Sequence, residues 1–241
     1  ILLDKGIIEE QWLQEDRLLL KEINGDTRPV LSVAQQTALE EIQHQWEQNE
    51  VVLLEGVTSS GKTELYFSLI EEQLKNEMQV LFLLPEISLT AQMVQRLQKR
   101  FGKQVSVFHS KFSIHERVEV WKNILHTSPK ARIVIGARSA IFLPFSRLGL
   151  IVVDEEHEAS FKQFDPAPRY QARDAAIVLA KAYKCKLLLG SATPSIESRF
   201  NVNRKKYGHV QLLERHGEAE LPLVQTIDLK EAHKKKEMKG L

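Results

Sequence analysis

Three short segments of this sequence carry side chains of the type and spacing that handling a polyphosphate requires. The first is Gly56-Val57-Thr58-Ser59-Ser60-Gly61-Lys62-Thr63, continued by Glu64. It fits the pattern G-x-x-x-x-G-K-[ST]. Its glycines let the backbone curl until successive N–H groups point at phosphate oxygens, Lys62 reaches the outer phosphates, and the Thr63 hydroxyl is offered to magnesium. The second is Asp154-Glu155-Glu156-His157, which closes an apolar run. Asp154 is placed to hold the same cation, and Glu155 to orient or deprotonate an attacking water, with His157 beside them. Two adjacent acids at a strand end are also an ordinary solvated loop; beside a phosphate loop they favour hydrolysis over transfer to a small acceptor. The third is Ser191-Ala192-Thr193 within "GSATPS". Its hydroxyls are expected to meet the acid segment near His157 and sense the terminal phosphate, although a strand-to-helix turn with a serine cap accounts for the same residues.

The elements that must position these groups follow from the apolar pattern. "VVLLEG", "QVLFLLPE", "QVSVFHS", "RIVIGA", "LGLIVVDEEH" and "CKLLLGSATPS" are short, nearly continuous apolar runs that end in Gly, Pro, Asp or Ser. Such runs suit strands buried on both faces of a parallel sheet. Between them lie helical spacings: Leu65, Leu69, Ile70 and Leu74; Leu89, Met93, Leu97 and Phe101; Ile114, Val118, Trp121 and Leu125, the last opened by a Ser113/Glu116 capping box. The expected fold is α/β, a mostly parallel doubly wound sheet flanked by helices, with the chemistry at the carboxyl ends of the strands.

Composition narrows the classes. The 241 residues are 43% hydrophobic, enough for a substantial core, and 33 basic residues nearly balance 32 acidic ones, so any nucleic-acid site must come from local charge. A single cysteine, Cys185, excludes an internal disulfide and a multi-cysteine zinc site in this chain and points to a reducing, cytoplasmic setting. No run approaches the roughly 20 apolar residues of a membrane span, and the acidic start is no signal peptide. The chain begins at Ile1, which suggests a portion of something longer. Residues 1–26 are expected to be the tail of an upstream module, 27–202 the nucleotide-binding lobe and 203–241 a C-terminal extension, where order thins past Phe200.

The order of the three segments on successive strand ends resembles the first motor lobe of a superfamily 2 helicase of the DEAH/DExH type. "LLPEISLT", "VFHSKFS", "ARIVIGARSAIFLPF", "LGLIVVDEEH", "PRYQARD" and "LLLGSATPSIES" bring it closer still to the bacterial replication-restart, or primosomal, DNA helicases, over about Leu31 to Asp228. That resemblance implies a RecA-like P-loop NTPase lobe using ATP and Mg2+, with 3′ to 5′ travel on single-stranded and forked DNA. It also implies replication-restart proteins and single-strand-binding protein as partners, a monomer, a zinc site and a second lobe elsewhere in the full-length enzyme, and residues 1–26 as the end of a winged helix. Gln35, or Gln36 in the other registration, is implied to recognise adenine. Ser88, Thr90, Arg138 and Ser139 are implied to hold the DNA backbone, with an ion pair across the sheet edge as the other reading of Arg138. "FKQFDPAPRYQARD" gathers Phe161, Phe164 and Tyr170 among Lys162, Arg169 and Arg173, a composition that suits stacking on unpaired bases; it resembles the aromatic-rich loop that couples DNA contact to hydrolysis. The bland alternative is a loop whose aromatics tuck into the domain surface. A kinase or nucleotide switch of similar fold and a module that only binds nucleotide or protein are the competing classes. Stimulation of hydrolysis by single-stranded DNA separates the first from a motor, and titrating ATP against the chain and its Lys62→Ala variant tests the second.

Overall fold

The computed structural model describes residues 30–89, 91–109 and 112–215. The expected upstream module, the charged end past residue 215 and Thr90 lie outside the described residues.

Among the described residues, seven strands form one sheet: β1 (Val51–Gly56), β2 (Gln79–Leu83), β3 (Val105–Phe108), β4 (Ile133–Gly136), β5 (Leu148–Asp154), β6 (Lys186–Ser191) and β7 (Gly208–Leu212). All pair in parallel, in the order β3-β4-β2-β5-β6-β1-β7. Along a strand, alternate residues serve opposite faces. Val52, Leu54, Leu150 and Val152 enter one hydrophobic cluster, while Val51, Leu53, Ile151 and Val153 enter the other. The first cluster is covered by α1 (Val33–Gln48), α2 (Lys62–Lys75) and α3 (Ala91–Phe101), the second by α4 (Ile114–Leu125) and α5 (Ala172–Tyr183). Helix α6 (Ile196–Asn203) follows β6. The nearly continuous apolar runs exist because each central strand is buried from both sides.

Local signals set the helix starts. Ser32 and Gln35 form a capping box at α1, and Ser113 and Glu116 do the same at α4. Each box satisfies backbone N–H groups that the first helical turn otherwise leaves unpaired.

Two expectations are corrected. The stripe Ile114, Val118, Trp121 and Leu125 does not face the sheet: these side chains are exposed, and α4 packs through Val120 and Ile124. The helix carries apolar residues on two faces, and the more regular of them points outward. The segment past Phe200 also continues the fold. β7 lies within the stretch expected to be an extension and pairs with β1 along its whole length, so the sheet runs on to Leu212. Its residues escape the apolar-run signal because this edge strand alternates buried and less buried positions.

Candidate functional site

The phosphate loop turns between β1 and α2, where every strand of the parallel sheet presents its carboxyl end. Its conformation depends on two glycines. Gly61 takes φ +83°, in the left-handed region, and a Cβ there would lie 2.1 Å from the Gln35 side-chain nitrogen. A Cβ at Gly56 would lie 2.9 Å from both Lys62 Cγ and Ser60 Oγ. Ser59 also adopts a positive φ, 63°. The loop is tied down at three points: Val57 N–H donates to Leu212 O of β7 at 3.1 Å, Ser60 N–H donates to Val57 O at 3.2 Å, and Gln35 Nε2 donates to Ser60 O at 3.1 Å. The missed strand β7 thus anchors the loop directly. Gln35 is buried and touches the loop, whereas Gln36 is exposed and bonds Glu40. Thr58 begins the turn, and Lys62 and Thr63 open α2, with Lys62 Nζ folded back onto Gly56 O at 2.7 Å. Glu64 is held by α3, through Arg96 at 2.7 Å and Arg100 at 2.9 Å.

Asp154 ends β5, two strands away from β1 across β6. It is nearly fully buried, and the Tyr66 hydroxyl donates to its Oδ1 at 2.8 Å. Burial pushes this carboxyl up to about 6; the charge of Glu155 adds to the rise, while Tyr66 and Lys62 oppose it. Lys62 follows the carboxyl end of β1 and Asp154 closes β5, so in this parallel sheet the two residues stand at one edge. Glu155 stands at φ 49°, a conformation a non-glycine residue rarely takes and one that collects at functional turns. Its carboxylate is 3.7 Å from His157 Nδ1. The same nitrogen is 2.7 Å from Ser191 Oγ, His157 Nε2 is 3.4 Å from Thr193 Oγ1, and Thr193 N–H donates to Ser191 Oγ at 2.9 Å. Ala192 lies between the two hydroxyls in this turn. The alternative serine cap is present as well, at Ser195, whose hydroxyl accepts from Ser198 N–H.

The residues suit a magnesium nucleotide. A carboxylate at Asp154 and a hydroxyl at Thr63 are the hard oxygen donors this cation takes. The buried Ser60 hydroxyl, within the loop itself, has no hydrogen-bond partner among the described residues, and the loop keeps two positions free of Cβ atoms.

Sequence reasoning missed two residues here. Tyr66 lies one helical turn beyond Lys62, a spacing that puts both on the same face of α2. Glu156 is fully buried and joins three segments. Its carboxylate accepts from Ser195 N–H at 2.7 Å, from the hydroxyls of Ser195 and Ser198 at 2.9 and 3.0 Å, and from Arg173 at 3.1 Å. An unbroken run of three acids hides which one faces inward.

The aromatic-rich segment divides in two. Phe161 is fully buried in the core beneath β5, so it cannot stack on a base, and Arg173 is buried against Glu156, Asp174 and Ser195, so it cannot follow a phosphate backbone. Both corrections have one cause: the segment closes over the sheet edge and needs an apolar plug and a cation for Glu156. Phe164 is exposed with Lys162 Nζ 4.9 Å above its ring, Arg169 is exposed, and Tyr170 meets the exposed Phe142 edge-on at 4.9 Å. Arg138 pairs with no acid in the described structure; it donates to Ser160 O at 3.3 Å and Lys162 O at 3.1 Å, joining the turn after β4 to this segment. Ser139 stands next to it, half-buried, and Ser88 lies at the neighbouring end of β2.

Residues 32–201 match the model of the DEAD/DEAH box helicase family. Among curated proteins, the replication restart protein PriA of Bacillus subtilis (strain 168) is 41% identical over 239 residues, covering 95% of this chain and 29% of that protein. PriA of Haemophilus influenzae is 45% identical over 233 residues, covering 94% and 31% respectively. The chain therefore spans about three tenths of the length of these relatives. Among solved structures, RecG bound to a three-way DNA junction aligns at a TM-score of 0.61 and 22% identity, over 86% of this chain and 27% of that one. The Pyrococcus furiosus Hef helicase domain aligns at 0.50 and 19%, over 74% and 37%. At such identities the structural likeness bears on the fold: a RecA-like helicase lobe.

Proposed function

This chain belongs to the DEAD/DEAH box helicase family, and from that premise we propose that it is the ATP-binding first motor lobe of a DNA helicase acting in replication restart. The identity with the PriA proteins supports the specific branch. The observation that carries the motor reading is the convergence, on one edge of a parallel sheet, of Lys62, the Asp154–Glu155 pair and the Ser191/Thr193 turn, with His157 between Glu155 and that turn.

In this reading the loop from Gly56 to Thr63 wraps the phosphates with its N–H groups, and Lys62 leaves Gly56 O to meet the outer ones. Gln35 and the start of α1 accept the adenine end. Thr63 and Asp154 would hold magnesium, which would supply neutralisation of developing charge. Glu155 orients the attacking water and takes its proton at the carboxylate. His157 passes the state of the acid segment to Ser191 and Thr193. Ser88, Arg138 and Ser139 at the ends of β2 and β4, with Lys162, Phe164, Arg169 and Tyr170, provide cations and ring faces for single-stranded DNA. Travel from 3′ to 5′, forked DNA as substrate, restart proteins and single-strand-binding protein as partners, and a cytoplasmic monomer belong to the same proposal. Hydrolysis also requires an arginine from a second lobe, whose absence costs a factor of about a thousand or more.

The test is nucleotide binding and hydrolysis by this chain and by a version extended through the second lobe, with and without forked DNA. Both should bind ATP and lose it on Lys62→Ala, and only the extended version should respond to DNA. Equal ATP affinity of the Lys62→Ala variant would overturn the loop assignment, and indifference of the extended version to DNA would favour a kinase or switch.

A further inference from the structure

The roles assigned above make no use of Tyr66, although its hydroxyl contacts the acid expected to hold the cation. Its ring packs edge-on against Phe82 at 5.6 Å, and the side chain is fully buried. Phenylalanine would fill the same apolar slot, so packing alone gives no reason for a hydroxyl. A buried hydroxyl is costly unless bonded, and this one donates to Asp154 Oδ1 at 2.8 Å.

The neighbouring strand makes room for it. Gly190 pairs with Asp154 in the β5–β6 register. A Cβ at Gly190 would lie 1.9 Å from the Tyr66 hydroxyl oxygen, 2.9 Å from Cζ and 3.3 Å from Asp154 Oδ1. The glycine that opens the Ser191–Thr193 turn is thus the residue that admits the tyrosine hydroxyl. Tyrosine, aspartate and glycine from three separate elements meet at one carboxylate oxygen. A carboxylate can turn about its last bond unless its oxygens are held. With Oδ1 fixed by a group on α2, the other oxygen has one direction to present, set by the helix that also carries Lys62 and Thr63.

We propose that Tyr66 is a positioning residue that orients the Asp154 carboxylate toward the divalent cation accompanying bound nucleotide. This rests on the reading of Asp154 as a ligand of that cation. Tyr66 touches neither nucleotide nor water in this role; it acts through Asp154, and its contribution belongs to the metal-dependent part of nucleotide binding.

The experiment titrates Mg2+ into the chain with a fluorescent ATP analogue, alongside a titration of the analogue in EDTA, for wild type and Tyr66→Phe. Loss of a hydrogen bond to a charged group should raise the Mg2+ concentration at half-effect about tenfold or more. Affinity in EDTA should stay within about twofold, because the loop's own contacts are intact. In an Asp154→Asn background, Tyr66→Phe should leave the Mg2+ dependence where it was. Superimposable Mg2+ titrations of wild type and Tyr66→Phe would overturn the proposal. So would an equal loss in EDTA and in Mg2+, which is the signature of a packing role, or an undiminished effect in the Asp154→Asn background. A wild type whose affinity ignores Mg2+ would instead remove the reading of Asp154 on which the proposal stands.

Discussion

Replacing Asp154 by asparagine should make the isolated chain more stable, by an amount that depends on pH in a defined direction. The carboxyl titrates at about 6 in the folded chain and at about 3.9 in an unfolded one. Between those values the folded state holds more protons than the unfolded state, so stability falls as pH rises. The contribution is fully present below about pH 4 and gone above about pH 6, and two units at 1.36 kcal/mol each amount to roughly 3 kcal/mol. Asparagine keeps the shape and an oxygen that accepts from Tyr66, and it stays neutral at every pH. Asp154→Asn should therefore exceed wild type by roughly 3 kcal/mol at pH 8, or about 6–12 °C in Tm for a domain of this size. The gap should close towards pH 4. Circular dichroism of thermal and urea unfolding between pH 4 and 8, in EDTA, measures it. Adding Mg2+ to ATP should raise the Tm of wild type beyond the rise seen with ATP in EDTA, and the variant should lose that extra rise. An Asp154→Asn chain no more stable than wild type at pH 8, or a gap that ignores pH, would refute the assignment of a buried, disfavoured charge at this position.

Other positions give contrasting outcomes. Phe161→Ala should cost about 3–5 kcal/mol of stability in urea unfolding, because the ring is fully buried. Phe164→Ala should change stability by no more than about 0.5 kcal/mol and weaken single-stranded DNA binding by the extended protein about tenfold. Arg173→Ala should cost about 3–5 kcal/mol, read in the same unfolding assay, because it strands the buried Glu156 carboxylate. Cys185, whose thiol burial pushes up to about 12, should ignore a disulfide reagent at pH 8 until denaturant exposes it.

Legibility in the sequence followed burial. The central strands announce themselves because both of their faces are covered, which leaves no room for polar residues. β7 is an edge strand with His209 and Gln211 among its five residues, and both turn to Glu55 of β1, His209 at 3.0 Å and Gln211 at 3.2 Å. A polar alternation of that length is indistinguishable from a loop. For α4, periodicity identified a helix but not which of its two apolar faces is covered, since that depends on the sheet and not on the helix. The phosphate loop and acid segment are local motifs with fixed spacing, so their positions could be read directly. Composition could not separate Phe161 from Phe164, or Arg173 from Arg169, because one member of each pair serves the interior. Tyr66 and Glu156 were silent for a related reason: Tyr66's partner is about 90 residues distant and Glu156's serine partners about 40, joined only once the sheet has formed.

The placement of β1 has a consequence for how the protein is made. This early strand finds its two neighbours, β6 and β7, only after about 135 and 155 further residues have been synthesised. A nascent chain halted before Leu212 would carry the complete glycine-lysine motif yet lack the edge that clasps it at Val57. Competence to hold nucleotide should thus wait until synthesis has passed Leu212, and a growing chain would be shielded from engaging ATP before this framework has closed.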